Sequence, residues 1–224
     1  MALLEFKDLS FEETRHQIKG TFLRMFSFSF AREELKKIGN FSIEQQGIDF
    51  PEVSQERAER KFNQILHHAF SHLTNKLNNK PTIYVHALSG IPLIGNGGFG
   101  IIDRGTNLIE IKPISSCNIK CVYCSVDEDK RNVDVVVEKD YLVQELKKVI
   151  AYKGISTVEC QITSQGEPTL YSPLAELIHD IKTIPGVATI SIITNGVLLT
   201  KPTVDKLCEA GLTRVNLSIN AIDK

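Results

Sequence analysis

From residue 108 onward the sequence alternates short apolar segments with amphipathic segments of helical period, and no other feature constrains the fold as much. The pattern predicts strands at residues 108–114, 157–163, 188–194 and 214–219, and helices at residues 139–152, 174–183 and 201–210. Gly154 and Gly211 suit helix ends, and Pro202 suits a helix start. Repeated strand–helix–strand units predict an α/β fold with a parallel sheet, right-handed crossovers and functional residues at the carboxyl ends of the strands.

The residues before this repeat have a different texture. Residues 1–80 are predicted to form a helical N-terminal region, because residues 11–39 have a mixed, helix-compatible composition and residues 51–79 carry apolar side chains at three- and four-residue spacing. Residues 81–107 are predicted to contain a strand at residues 82–86 and a glycine-rich hairpin or loop. The match of residues 95–100 to G-x-G-x-x-G lacks the helix that a dinucleotide-binding loop opens, so a turn or hairpin is favoured over phosphate binding.

Charge and hydropathy exclude some classes of protein. The 26 Lys and Arg residues nearly balance the 27 Asp and Glu residues, so no general attraction to nucleic acid or anionic membrane is expected. No apolar run reaches membrane-spanning length, and residues 1–7 are too mixed for a secretory signal. We therefore expect a cytoplasmic protein with reduced thiols, in which Cys160 and Cys208 are core residues.

The remaining three cysteines form the most informative motif. Cys117, Cys121 and Cys124 follow the first predicted strand with the spacing C-x3-C-x2-C, which predicts that their thiolates converge on one centre. A structural zinc site and a ferredoxin cluster each need four ligands, so three cysteines leave one metal position open for a cofactor or substrate. The alternatives are a zinc or iron–sulfur module that borrows a distant fourth ligand for structure or electron transfer, and three unrelated cysteines.

This motif, with an aromatic residue before its last cysteine, resembles that of the radical S-adenosylmethionine (radical SAM) superfamily. The likeness is strongest to its cyclic-pyranopterin-synthase-like members and to uncharacterised archaeal iron–sulfur oxidoreductases. It implies a (βα) barrel, a [4Fe–4S] cluster on Cys117, Cys121 and Cys124, and S-adenosylmethionine on the open iron. The implied enzyme cleaves S-adenosylmethionine reductively, and the resulting 5′-deoxyadenosyl radical acts on an unidentified substrate.

The resemblance also implies contacts to S-adenosylmethionine. Gly166 and Glu167 match the family's motif after the second strand, although Gln165 replaces its first glycine. Thr194 begins a T-N-G segment after the third strand, and Ser218 lies in a segment after the fourth. Tyr123 is expected to pack near the adenine. Asn220 stands where the family often has aspartate.

Other polar residues receive simpler interpretations. Lys130 and Arg131 are expected in a solvated turn, with docking of an electron donor as the alternative, and His67, His68 and His72 are expected at the surface or in packing. Glu159 and Gln161 alternate with Val158 and Cys160, so one of these two pairs is expected to face the barrel interior.

The chain carries fewer βα units than the family's barrel. We therefore expect a partial (βα) barrel over residues 108–224, truncated after its fourth strand, with the missing strands possible on a second chain. An inactive fragment is a further alternative. The implied partners are an electron donor such as ferredoxin or flavodoxin, and a substrate that is a small molecule, peptide, lipid or tRNA.

Overall fold

The structure is a computed structural model that describes residues 1–126, 128 and 130–219. It divides into two compact units, Met1–Ile83 and Tyr84–Lys224. Asn220, for which the sequence suggested a departure from the family pattern, lies outside the described residues. Within the described residues, no helix combines the length and the apolar character needed to cross a membrane.

Residues 1–83 are built mainly from antiparallel strands. The strands are β1 (Ala2–Glu5), β2 (Leu9–Glu13), β3 (Gln17–Phe22), β4 (Phe26–Ala31), β5 (Ser42–Glu44), β6 (Gly47–Phe50) and β7 (Thr74–Asn75); the helices are α1 (Arg32–Lys36) and α2 (Gln55–Phe70). They form a four-stranded sheet in the order β2-β3-β4-β7 and a three-stranded sheet in the order β1-β6-β5.

The prediction of a helical N-terminal region is therefore wrong for most of residues 1–80. Strand β4 buries Phe26, Phe28 and Phe30, which alternate with more exposed residues, and this period of two is the period of a strand. A helix does form at α2, which buries Ala58, Phe62 and Ala69. The ring centroid of Phe62 lies 5.9 Å from that of Phe11 on β2, so the helix packs on the strands through aromatic contacts.

The remaining residues contain the predicted strands and helices, together with two strands, at residues 100–103 and 134–137, that were not predicted. The strands are β8 (Thr82–Val85), which spans the division between the units, β9 (Gly100–Asp103), β10 (Leu108–Lys112), β11 (Asp134–Val137), β12 (Val158–Ile162), β13 (Val187–Thr194) and β14 (Arg214–Leu217). The helices are α3 (Lys139–Lys153), α4 (Leu174–Lys182) and α5 (Lys201–Ala210), with single 3₁₀ turns at Ala87–Ser89 and Pro168–Leu170.

Five of these strands form one sheet in the order β14-β13-β12-β10-β9. Strands β10, β12, β13 and β14 are mutually parallel where they pair, as predicted, whereas β9 pairs with β10 antiparallel. The sheet is thus mixed rather than wholly parallel, because the glycine-rich segment turns back along β10. Across the described residues it does not close into a barrel, and a partial barrel remains a prediction.

The two faces of this sheet differ in polarity. Ile109, Cys160 and Ile190 are neighbours on the buried face. Burial raises the pKa of Cys160 to about 12, so it is a core thiol as predicted. The same prediction is wrong for Cys208, which is exposed because α5 buries its neighbours Leu207 and Ala210 instead. Glu159 and Gln161 lie on the opposite, polar face and are partly exposed.

Candidate cofactor site

A cavity of about 270 Å³ opens where β10, β12 and β13 end. Seven of the eight residues singled out from the sequence line it: Cys117, Cys121, Cys124, Gly166, Glu167, Thr194 and Ser218. The eighth, Tyr123, is 61% exposed and does not line the cavity. Because parallel strands end at one edge of a sheet, three loops far apart in sequence meet here.

The loop that carries the cysteines is held at its start by strand β11. The Ser115 backbone N–H donates to the Val135 carbonyl at 2.9 Å, and the Val135 N–H donates to the Ser115 hydroxyl at 2.7 Å. Cys117 and Cys121 are partly buried, and Cys124 is exposed. Although the three thiols line one cavity, no three His, Cys, Asp or Glu side chains of the described residues are arranged to hold a metal ion. Convergence of the three thiolates therefore stays a prediction.

The electrostatic surroundings of the cysteines are negative. Burial raises the pKa of the Cys117 thiol, a hydrogen bond from the Ile119 backbone opposes the rise, and the carboxylates of Glu128 and Glu167 add to it. A hydrogen bond with Cys121 is the main cause of the raised pKa of Tyr123. A cation bound at these sulfurs would offset the negative charges, since metal binding and thiol deprotonation are coupled.

Glu167 connects the loop after β12 to the end of β13. Its side chain is almost wholly buried, and its Oε1 accepts hydrogen bonds from the Thr169 N–H at 3.0 Å, the Thr169 hydroxyl at 2.6 Å and the Thr194 hydroxyl at 2.7 Å. Its Oε2 accepts one hydrogen bond, from the Asn195 N–H at 2.8 Å. These contacts satisfy the buried charge and leave Oε2 with capacity for a further donor, since each carboxylate oxygen has two lone pairs.

Gly166 permits a close approach of two backbone segments. A Cβ atom at this position would lie 2.1 Å from the Ser116 carbonyl oxygen and 2.2 Å from that of Ser115. The Glu167 N–H also donates to the Ser116 carbonyl at 2.8 Å. Gly166 therefore permits the contact between its loop and the start of the cysteine loop, and its expected contact with S-adenosylmethionine stays a prediction.

The T-N-G segment after β13 contacts the other two loops. The Thr194 hydroxyl accepts a hydrogen bond from the Gly196 N–H at 3.0 Å in addition to its bond to Glu167. The Asn195 amide donates to the Asn118 side-chain oxygen at 2.8 Å, which joins the segment to the cysteine loop. Asn118 was not singled out from the sequence, and its place between two cysteines is the signal that could have done so.

Arg131 is not part of a solvated turn. Its side chain is only 15% exposed, and it forms ion pairs with Glu128 at 2.6 Å and Asp134 at 2.8 Å. Because the segment is not helical, the spacing of three residues on either side did not predict these ion pairs. Lys130 is exposed, as expected.

The polar face of the sheet below the cavity carries charged residues. Glu159 accepts a hydrogen bond from the Ser191 hydroxyl at 2.9 Å and pairs with Arg214. Glu110, on the neighbouring strand, accepts two hydrogen bonds from Arg104. His67, His68 and His72, in residues 1–83, are exposed and lie outside this site.

The described residues thus combine a mixed α/β sheet with a cysteine loop after β10 and a Gly-Glu loop after its sheet neighbour β12, an arrangement typical of a ligand site at the carboxyl ends of parallel strands. The sequence profile of the radical SAM superfamily matches residues 111–224, which is half of the chain, and the chain belongs to that superfamily.

Curated relatives support the same assignment. An uncharacterized protein of Methanocaldococcus jannaschii is 39% identical over 168 residues, which are 72% of this chain and 38% of that protein. The GTP 3′,8-cyclases of Chlorobaculum tepidum and Listeria welshimeri are 34% and 36% identical over 121 residues, about half of this chain and 35% of each enzyme. The chain thus spans well under half the length of these relatives.

Members of the superfamily typically use a [4Fe–4S] cluster and S-adenosylmethionine. The donor set fits a cluster, because thiolates are the ligands of iron–sulfur clusters and three cysteines line one cavity. The cavity also contains Glu167, a buried acceptor suited to an ammonium group.

Proposed function

We propose that this chain binds a [4Fe–4S] cluster and S-adenosylmethionine and acts in a radical SAM enzyme. When bound, the cluster would supply one electron for reductive cleavage of S-adenosylmethionine to a 5′-deoxyadenosyl radical, with a donor such as ferredoxin or flavodoxin as the source. The observation that carries the proposal is the single cavity lined by all three cysteines together with Gly166 and Glu167.

The chain's own residues would divide the work of binding. Cys117, Cys121 and Cys124 would be the three protein ligands of the cluster, leaving one iron for the cofactor. The second lone pair of Glu167 Oε2 would accept a hydrogen bond from the ammonium group of the cofactor's methionine part. Thr194 would position Glu167, because its hydroxyl already donates to that carboxylate.

We propose a polar substrate for the same enzyme. Glu110, Glu159 and Arg214 make the polar face of the sheet a surface of hydrogen-bonding and charged groups. Covering these charged pairs with a lipid chain would remove their contact with water, which is costly. A polar small molecule is therefore favoured over a lipid, and the names of the GTP 3′,8-cyclase relatives are consistent with a nucleotide.

Anaerobic reconstitution with iron and sulfide, followed by EPR spectroscopy of the dithionite-reduced protein, tests the proposal. We expect a reduced-cluster signal that changes when S-adenosylmethionine is added. Cys121→Ala should lose the cluster, whereas Cys208→Ala should keep it, because Cys208 is exposed on α5 and distant in sequence from the motif. The Cys208 variant controls for iron bound nonspecifically by exposed thiols.

Two outcomes would contradict the proposal in different ways. A cluster signal that does not respond to S-adenosylmethionine would favour an iron–sulfur module with a fourth protein ligand. Equal iron and sulfide contents in Cys121→Ala and Cys208→Ala would reject the assignment of the cluster to this motif.

A further inference from the structure

A partly buried arginine, Arg131, pairs with two buried carboxylates beside the candidate cofactor cavity. The Arg131 side chain is 15% exposed, that of Glu128 is 8% exposed and that of Asp134 is fully buried. Arg131 donates to Asp134 Oδ1 through Nε at 3.1 Å and through Nη2 at 2.8 Å, and Nη2 pairs with Glu128 Oε2 at 2.6 Å. One guanidinium thus compensates two buried negative charges, which would be costly without it.

The same side chain is joined to the cysteine loop at both of its ends. Asp134 Oδ2 accepts a hydrogen bond at 2.8 Å from the hydroxyl of Ser116, the fully buried residue that precedes Cys117. Glu128 follows Cys124 by four residues and lines the cavity. Arg131 is therefore linked, through Asp134 and Glu128, to residues on both sides of the three cysteines.

Arg131 also reaches the loop that follows β12. Its Nη1 donates to the Gln165 backbone carbonyl at 3.0 Å, immediately before Gly166 and Glu167. The contact spans 34 residues of sequence and involves a carbonyl, so the Gln165 side chain does not determine it. The planar guanidinium of arginine can donate hydrogen bonds to Asp134, Glu128 and the Gln165 carbonyl at the same time. The ammonium of lysine is a compact charge at the end of a flexible chain and cannot reproduce this geometry.

We propose that Arg131 is a positioning residue that locks the cysteine loop to the loop of Gly166 and Glu167, so that the cluster ligands and the S-adenosylmethionine contacts are held in register. This inference rests on the proposed function. Arg131 itself does not line the cavity, and its effect would pass through Asp134 to Ser116, through Glu128 and through the Gln165 backbone. Partners that orient metal ligands commonly change affinity by 10–100-fold when they are altered.

Arg131→Lys is the decisive variant, because it keeps the positive charge and loses the fork. Arg104→Lys is the matched control: Arg104 also binds a carboxylate through two nitrogens, at Glu110, but it is 51% exposed and touches neither loop. Both variants and the wild type are reconstituted anaerobically. Iron and sulfide contents are measured, and S-adenosylmethionine is titrated against the EPR signal.

We expect Arg131→Lys to assemble its cluster under excess iron and sulfide, because all three cysteines remain. It should bind S-adenosylmethionine roughly tenfold more weakly, the low end of the effect of altering a group that orients metal ligands. Arg104→Lys should match the wild type in both measurements. Circular dichroism and thermal unfolding confirm that the variants compared are folded at the titration temperature. Equal affinity for S-adenosylmethionine in wild type and Arg131→Lys would overturn the inference while leaving the proposed function intact.

A second variant guards against failure of the first to fold. Asp134→Asn keeps an acceptor for the Ser116 hydroxyl but removes the charge that orients Arg131, and it should also weaken cofactor binding. Wild-type affinity in Asp134→Asn would overturn the inference when Arg131→Lys is unfolded. A wild-type protein that assembles no cluster, or whose signal ignores S-adenosylmethionine, would reject the proposed function and with it this inference.

Discussion

Donors from three residues, Thr169, Thr194 and Asn195, surround the buried carboxylate of Glu167. Glu167→Gln places an amide NH₂ where at least one backbone or hydroxyl donor now points, so one buried group loses its partner. We expect the free energy of unfolding to fall by about 1–3 kcal/mol. Urea unfolding followed by circular dichroism measures the change.

Glu209→Gln on α5 is the control for this substitution. Glu209 is exposed, so the same chemical change should alter stability by no more than about 0.5 kcal/mol. If Glu167→Gln were as stable as the control, the carboxylate would not organise the loops, and the hydrogen-bond geometry would carry no stabilising role.

For single residues, the sequence predicted the candidate site residues that stand in short local motifs. It did not predict residues whose surroundings depend on burial by distant parts of the chain. The cysteines, Glu167 and Thr194 stand in short motifs after strands, and all of them line the cavity. In the sequence, Arg131 follows Lys130, and two adjacent basic residues indicate a solvent-exposed turn. Its burial depends on Asp134 and on a backbone carbonyl 34 residues away, and that second contact leaves no trace in the local sequence.

Strand β3 contains a glycine whose space is filled from the neighbouring strand. Gly20 pairs with Phe28 of β4, and a Cβ atom on Gly20 would lie 2.1 Å from the phenyl ring. Strand propensity alone favours alanine by roughly 0.5–1 kcal/mol. Displacing a packed ring costs about 1–3 kcal/mol, so we expect Gly20→Ala to destabilise the protein, as measured by urea unfolding.

The double variant Gly20→Ala/Phe28→Leu tests the cause. If the ring is the obstacle, the two substitutions together should cost less than the sum of their separate costs, with a coupling of about 0.5–3 kcal/mol. Strict additivity, or a more stable Gly20→Ala, would indicate that the ring moves aside freely and that packing over Gly20 is not a constraint on β3 and β4.

Helices with local start and end signals were predicted well. Strands that depend on antiparallel pairing with a neighbouring strand were not. Helix α5 has its predicted bounds of 201–210, with Pro202 in its first turn and Gly211 in a left-handed conformation at its end. Strands β2, β3 and β4 were assigned to a helix-compatible region, although the alternation of Phe26, Phe28 and Phe30 was visible. Strand β9 was not predicted, because its pairing with β10 follows from the return of the glycine-rich segment.

Over the whole molecule, parallel pairing brings chemistry from distant parts of the sequence to one edge. Strands β10, β12 and β13 lie side by side, so the cysteine loop, the Gly166–Glu167 loop and the Thr194 segment follow neighbouring strand ends. This juxtaposition was predictable, since βα units dictate it. The hydrogen bonds between the loops were not, because they require side-chain positions that alternation alone does not fix.

The three loops should respond together when S-adenosylmethionine binds. We expect the cofactor to slow amide hydrogen exchange of the reconstituted protein in residues 115–124, 164–169 and 194–198, because in the proposed function one ligand contacts all three segments. The β3–β4 hairpin provides an internal baseline within the same molecules. Exchange followed by mass spectrometry, with Cys121→Ala as the control without a cluster, measures the response.

The pattern of protection distinguishes the functions considered for this chain. A cluster used only for electron transfer orders its own ligands, so protection on reconstitution would be confined to residues 115–124 and S-adenosylmethionine would add nothing. In the proposed function the cofactor lies between the cluster and the ends of β12 and β13. Slower amide exchange around Glu167 and Thr194 on addition of S-adenosylmethionine would therefore show that the loops at this sheet edge act as one site. If the protein carrying its cluster showed no such slowing, the proposed radical SAM function would be contradicted.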